Sequence, residues 1–230
     1  MYDKGKILVA GGAVNGGDNA QGSNQAMIID VNGSSPTKTN IASMAHSRQF
    51  SNGVVLPNGE VIIVGGNTSG REFSDDGSIL AAEIWNPDTL AWREVASMSI
   101  PRNYHSVALL MIDGRVWSGG GGLCNCIADH MDHQIYSPPY LFDSSGNLAS
   151  RPVISSAPDV VTYGQIISVQ ASSGIQEFSM IKMSGTTHHM NSDMRYLEVP
   201  FSGSNGQYQL TLESNTLSLI HISEPTRHRR

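Results

Sequence analysis

Gly59-Glu60-Val61-Ile62-Ile63-Val64-Gly65-Gly66 decides the fold, because the chain writes it three times. It occurs first as Gly5-Lys6-Ile7-Leu8-Val9-Ala10-Gly11-Gly12 and last as Gly114-Arg115-Val116-Trp117-Ser118-Gly119-Gly120-Gly121. The opening glycines stand 54 and 55 residues apart. Ser43-Met44 and Ser97-Met98 keep the 54-residue step, and so do Arg48 and Arg102. Each copy begins at a glycine turn, runs through apolar residues and ends in a glycine pair, which is a strand between two turns.

A second strand follows each of the later copies, as Ala82-Glu83-Ile84-Trp85-Asn86-Pro87 and as His133-Gln134-Ile135-Tyr136-Ser137-Pro138. A tryptophan strand comes next in Leu90-Ala91-Trp92-Arg93-Glu94. A period near 50 with a Gly-Gly strand end is the kelch signature, one four-stranded propeller blade per repeat. The glycine pair allows the inner strand to turn where blades crowd together. No window carries a sustained 3.6-residue apolar stripe, so a helical fold is excluded. The expected class is all-β.

Composition agrees. Charged residues make up 15% of the chain, low against the usual value of about 25%. Its 24 glycines compare with the roughly 16 that average usage of about 7% would give. The formal net charge of −6 and the lack of a basic patch argue against nucleic acid and anionic membranes as partners. No apolar run approaches the ~20 residues of a membrane span.

The repeat ends after Pro138-Pro139-Tyr140-Leu141-Phe142. From Arg151-Pro152-Val153-Ile154 onward a different alternation starts, with strands expected in Gly164–Gln170 and Glu177–Met183, the start of an antiparallel sandwich. Thr186 to Arg195 reads as a polar loop or hairpin holding His188 and His189. We divide the chain into repeat blades over 1–150, a sandwich part over 151–216, and a tail over 217–230. That tail resembles a translated sequencing-library adapter, so His221 and His228 are dismissed as ligands. The opening Met1-Tyr2-Asp3-Lys4 enters a strand at once, as in a chain cut inside a domain.

Chemistry concentrates in Arg102-Asn103-Tyr104-His105-Ser106, just before the apolar run Val107 to Ile112 and the Asp113-Gly114 hairpin turn. Neighbouring side chains on a strand point to opposite faces, so an arbitrary Tyr-His pair reads as a core tyrosine with a surface histidine. Tyr104 and His105 can share one metal only where the strand is just beginning and the backbone turns. Leu123-Cys124-Asn125-Cys126 is the second cluster. Cys-x-Cys could be half a zinc site, with His130 and His133 as nearby candidates, but there is no second cysteine pair. A tight disulfide or a free pair is the alternative. The His130-Met131-Asp132-His133 cluster reads as structural hydrogen bonding.

From Met1 to about Tyr208 the chain resembles galactose oxidase and its copper radical oxidase relatives. The most specific pieces are Asn103-Tyr104-His105-Ser106, Asp113-Gly114-Arg115-Val116 through Gly122-Leu123-Cys124, Gln134-Ile135-Tyr136-Ser137-Pro138, and Thr187-His188 with Asn191-Ser192-Asp193. The resemblance implies the last three or so of seven kelch blades, followed by part of an immunoglobulin-like sandwich whose hairpin reaches toward copper. It makes Tyr104 the axial copper ligand and general base, His105 and His188 the copper imidazoles, and Phe73 an aromatic wall of the substrate pocket. It also implies a short disulfide at Cys124 and Cys126, although the family has one more residue between its cysteines. The implied reaction is oxidation of a primary alcohol, aldehyde or sugar by dioxygen, giving hydrogen peroxide, in an extracellular or periplasmic protein. The family's cysteinyl-tyrosine radical cofactor would lie upstream of Met1, and nothing here matches it. Tyr2 does not take that role, since its context aligns with a structural strand. Phe50 stands where the repeat puts Tyr104, so the position is not intrinsically a metal site. On these grounds the chain alone is expected to be inactive, and the competing expectation is a kelch module binding carbohydrate without redox chemistry.

Overall fold

A computed structural model describes residues 1–13, 15, 20–183, 185, 186, 191, 193 and 194–214 of the chain. The fold is all-β, with a single turn of 3-10 helix at Pro139–Leu141 among the described residues. The first repeat forms β1 (Lys6–Ala10), β2 (Ala26–Asp30) and β3 (Thr37–Ile41). The second forms β4 (Gln49–Val55), β5 (Val61–Asn67), β6 (Ala82–Trp85) and β7 (Trp92–Val95). The third gives β8 (Ser106–Leu110), β9 (Val116–Gly120) and β10 (His133–Tyr136). Within each sheet the strands are antiparallel and follow chain order. The three apolar-then-Gly-Gly runs are therefore β1, β5 and β9; β1 lies at the edge of its sheet as described, whereas β5 and β9 are paired on both sides.

Residues one repeat apart meet across neighbouring sheets. Asn52 on β4 donates its amide to the hydroxyl of Ser106 on β8 at 3.0 Å, and the two positions differ by the 54-residue step. The glycine pairs have a reason in this packing. At Gly65, φ is +71° and a Cβ would overlap the carbonyl oxygen of Arg102, while Gly66 N–H donates to that same oxygen at 2.7 Å. Only a residue without a side chain lets the entry segment of the next sheet approach this closely. The arginines of the repeat are fully buried ties. Arg48 donates to Gly65 O at 2.9 Å and pairs with Glu83 at 2.5 Å. Arg102 donates to Gly120 O at 3.1 Å and pairs with Asp132 at 2.8 Å.

The second half contributes β11 (Ile154–Ser156), β12 (Ile166–Ala171), β13 (Ser179–Lys182), β14 (Arg195–Glu198), β15 (Phe201–Ser204) and β16 (Gln207–Thr211). One sheet runs β11-β12-β16-β15, and β13 pairs with β14 separately. Alternation on β12 and β16 buries Ile167, Val169, Tyr208 and Leu210 against Phe178 and Val199. This is the period-2 pattern of a half-buried strand. The β13–β14 hairpin does something else. Its Met194 and Tyr196 join the apolar core of the first half, beside Val54, Ile62 and Trp85. Tyr2 belongs to that core too, with its ring edge-on to Trp85 at 4.7 Å, as a structural residue should be.

Candidate metal centre

Asn103 O accepts from Ser106 N at 3.0 Å, which makes Tyr104 and His105 the two central residues of a tight turn immediately before β8. His105 has φ +64°. A positive φ at the third position of a turn normally calls for glycine or asparagine, and histidine is among the few other types that tolerate it. The turn removes the strand alternation that would separate the two side chains. Their rings lie 3.9 Å apart, centre to centre, inclined by 33°.

Gly122 grips this turn from the opposite side. Its N–H donates to Tyr104 O at 2.9 Å, and its carbonyl lies 2.6 Å from Nδ1 of His105. A carbonyl oxygen can only accept, so Nδ1 carries a proton, and in the neutral ring that places the lone pair on Nε2. That is the arrangement by which a metal-binding imidazole is held in one tautomer and one orientation.

Aromatic side chains close in around the pair. Phe50 packs edge-on to Tyr104 at 5.2 Å and Phe73 does so at 5.5 Å, with Phe73 also 6.1 Å from the His105 ring. Phe50 has φ +57°, a left-handed residue between the Gln49–Asn67 and Ser51–Gly65 pairs of β4 and β5, whose register does not shift there. Its place in the repeat, one step before Tyr104, makes it the neighbour of the site. Phe73 remains 45% exposed, so it lines the opening rather than the core.

The loop carrying Phe73 is fastened at several points. Asn103 donates to Ser74 O at 3.0 Å and to Ser78 Oγ at 2.8 Å. His130 Nε2 lies 3.0 Å from a carboxylate oxygen of Asp75, which gives the His130 cluster the structural role expected of it. His133 stacks on Trp117 with ring centres 6.0 Å apart. Cys124 and Cys126 form a disulfide. Their sulfurs and the Asp129 carboxylate lie within 4.8 Å of one another, a spacing seen in metal sites, but sulfurs bonded to each other are not the thiolates a metal requires. The half-zinc reading is thereby set aside.

His188 lies outside the described residues. The residues flanking it are anchored on the strands that run from the site. Thr186 Oγ1 donates to Ala108 O on β8 at 3.3 Å, and Asn191 Nδ2 donates to Gly53 O on β4 at 3.3 Å. Asn103 and Gly122 stand in the motifs that carry the resemblance, without a role assigned to either, and Asp75 was not singled out. The run of four glycines, where the other repeats have two, was a further signal for Gly122.

Residues 2–133 match the family model described as glyoxal oxidase N-terminus, and residues 151–222 match that of the galactose oxidase-like, Early set domain. The chain belongs to the galactose oxidase-like family. Galactose oxidase of Gibberella zeae is 37% identical over 212 residues, covering 90% of this chain and 31% of the relative. An aldehyde oxidase of Arabidopsis thaliana is 30% identical over 189 residues, covering 74% of this chain and 30% of the relative. A solved structure, described as a novel fungal alcohol oxidase with catalytic diversity among the AA5 family in complex with copper, superposes with a TM-score of 0.88 at 36% identity. That match covers 94% of this chain and 47% of the other. The chain thus spans about a third of the length of these curated relatives. No helix among the described residues is long and apolar enough to cross a membrane.

Proposed function

We propose that this chain carries part of the copper site of an oxidase acting on primary alcohols, aldehydes or sugars, with dioxygen reduced to hydrogen peroxide. The observation that carries the reading is the Tyr104–His105 turn, which brings the two rings together while the Gly122 carbonyl holds the imidazole by Nδ1. Imidazole and phenolate donors suit copper(II), which accepts tetragonal nitrogen and oxygen coordination with room for a further ligand. His105 and His188 would supply the imidazoles, and Tyr104 a phenol oxygen. Copper, when bound, supplies a Lewis acid that can also take up one electron.

The residues do the rest. The Tyr104 phenolate would accept the substrate's hydroxyl proton at its oxygen, the role of a positioned general base. Phe73, edge-on to both rings and partly open, would offer an apolar wall to the substrate's carbon face and narrow the approach of water. The hairpin bearing His188 would complete the ligand set from the second half, supported by the anchoring of Thr186 and Asn191 beside β8 and β4.

Residues 1–150 are read as kelch-type blades and 151–216 as part of an immunoglobulin-like sandwich. The repeat spacing and the four-stranded β4–β7 sheet support the first, and the β11-β12-β16-β15 sheet supports the second. The family pairs copper with a cysteinyl-tyrosine, whereas both cysteines of this sequence are joined to each other. Turnover would therefore depend on residues beyond these, and the intact oxidase would be extracellular, by likeness to galactose oxidase.

Copper(II) titration followed by electron paramagnetic resonance tests the assignment. His105→Ala and His188→Ala should each remove nitrogen couplings and weaken copper uptake. Tyr104→Phe should retain copper, while in the full-length oxidase it should lower turnover by about 10² to 10⁴, the usual worth of a positioned base. Copper uptake unaffected by both histidine substitutions would leave a kelch binding module as the better reading.

A further inference from the structure

We propose that Asp129 is a positioning residue for the His105 imidazole, acting through the 122–126 loop to fix the Gly122 carbonyl that holds Nδ1. The purpose of that positioning rests on the copper reading above, but the positioning itself is a property of the metal-free chain.

Gly122 makes both contacts to the Tyr104–His105 turn, so the orientation of its two peptide planes sets the orientation of the imidazole. Those planes are not in a relaxed conformation. Gly122, Leu123 and Asn125 have φ of +78°, +74° and +57°. Left-handed backbone at non-glycine residues costs free energy and persists only where the surroundings over-determine it. Leu123 is no source of that constraint, since the residue is 82% exposed.

Asp129 is the source. Its Oδ1 accepts from Cys124 N at 2.9 Å and its Oδ2 from Cys126 N at 3.3 Å. Successive amides turned inward on one carboxylate form an anion-binding nest, here filled by the chain's own side chain. Those amides, Cys124's foremost, hold the Asp129 carboxyl below the usual carboxylate range. A Cβ on Gly122 would overlap Asp129 Oδ1, so the carboxylate sits directly against the residue that holds His105.

The Cys124–Cys126 disulfide spans a separation of two residues. A loop this short restricts the unfolded chain least, so the bond acts locally, closing the nest around the carboxylate. From Asp129 the path is continuous: carboxylate to loop amides, loop to Gly122 carbonyl, carbonyl to Nδ1.

The test reads the imidazole directly. In the metal-free chain labelled with ¹⁵N-histidine, long-range ¹H–¹⁵N correlations should show His105 protonated at Nδ1. Asp129→Ala should convert it to a mixture of tautomers, and Asp129→Asn, which keeps one acceptor oxygen, should give an intermediate spectrum. Should Asp129→Ala fail to fold, the Asn variant carries the test by itself. A variant that melts earlier yet keeps the wild-type His105 tautomer would reduce Asp129 to a structural residue and overturn the proposal. Copper titration separates the two readings. Loss of the tautomer together with a roughly 10- to 100-fold weaker copper affinity supports both, in the range typical of partners behind a ligand. Loss of the tautomer in a chain whose wild type takes up no copper keeps the positioning and rejects the metal.

Discussion

The Val55 amide donates to the sulfur of Met194 at 3.4 Å, across 139 residues of sequence. Val55 ends β4 of the first half, and Met194 precedes β14 of the second. The contact marks the point where the β13–β14 hairpin enters the other half's core. Asn191 Nδ2 also lies 3.4 Å from the same sulfur, so one thioether receives both the strand and the hairpin loop. Tyr196 extends the junction, with its hydroxyl 2.5 Å from Glu177, and burial raises its pKa above the ordinary tyrosine range.

Met194→Ala should therefore act on both halves together. Truncating a methionine that is 3% exposed removes apolar contact and leaves a cavity, at a cost of about 2 to 5 kcal/mol. Urea unfolding should show a lower midpoint and, with the hairpin released, separation of one transition into two. A single transition with an unchanged midpoint would contradict the junction.

Arg48 and Glu83 test the internal support of the sheets. Their side chains are 0% and 1% exposed, and Arg48 also donates to Gly65 O. Removing one partner of a buried pair strands the other charge, at about 3 to 5 kcal/mol. Glu83→Gln should accordingly cost more than its near-identical volume suggests, and Arg48→Met with Glu83→Gln together should cost less than the two single changes added. A double-mutant cycle by chemical denaturation measures the coupling.

Much of this was legible in the sequence because a repeat is redundant. One Gly-Gly pair is ambiguous, but three at a 54- or 55-residue step fixed β1, β5 and β9 as equivalent strands. Tyr104 and His105 were legible as a pair, whereas the geometry that unites them was not. It depends on a positive φ at His105 and on the carbonyl of Gly122, 17 residues later, and neither backbone angles nor backbone acceptors are written in residue types. Phe50 shows the same gap. Its place in the repeat made it look like evidence against a site, yet packing between sheets puts equivalent positions side by side, so it became a wall of one.

Acid should weaken the second sheet through Glu60. Burial alone would raise its pKa, but hydrogen bonds from Arg93 and then Asn58 outweigh it and hold the carboxyl below the usual glutamate range. A carboxylate depressed in the folded state contributes stability that is present above its unfolded pKa of about 4.3 and is lost as pH falls through the folded value. Melting temperature should thus drop below about pH 4. Glu60→Gln should be less stable at neutral pH and should flatten that acid limb. An acid limb as steep in the variant as in the wild type would assign it to other carboxylates.

Asn103 offers the sharpest separation of site architecture from global stability. It is 4% exposed, sits next to Tyr104 in sequence and spends its amide on Ser74 O and Ser78 Oγ, which bracket the loop behind Phe73. Asn103→Ala would leave those oxygens to find water and would cost about 1 to 3 kcal/mol, the penalty for unpairing a buried polar group. The loss should be local. Hydrogen exchange of residues 71–78 should quicken well before exchange in β5 and β9, because ties such as Asn67 to Arg71 O, Asp75 to His130 and Thr68 N to Gly77 O hold other points of the loop but not Ser74, which follows Phe73. Asn103→Asp keeps the size but replaces both donors with acceptors, so it should free the loop as fully as alanine does. Equal protection of 71–78 in both variants and the wild type would show that the Phe73 loop is held by something other than Asn103.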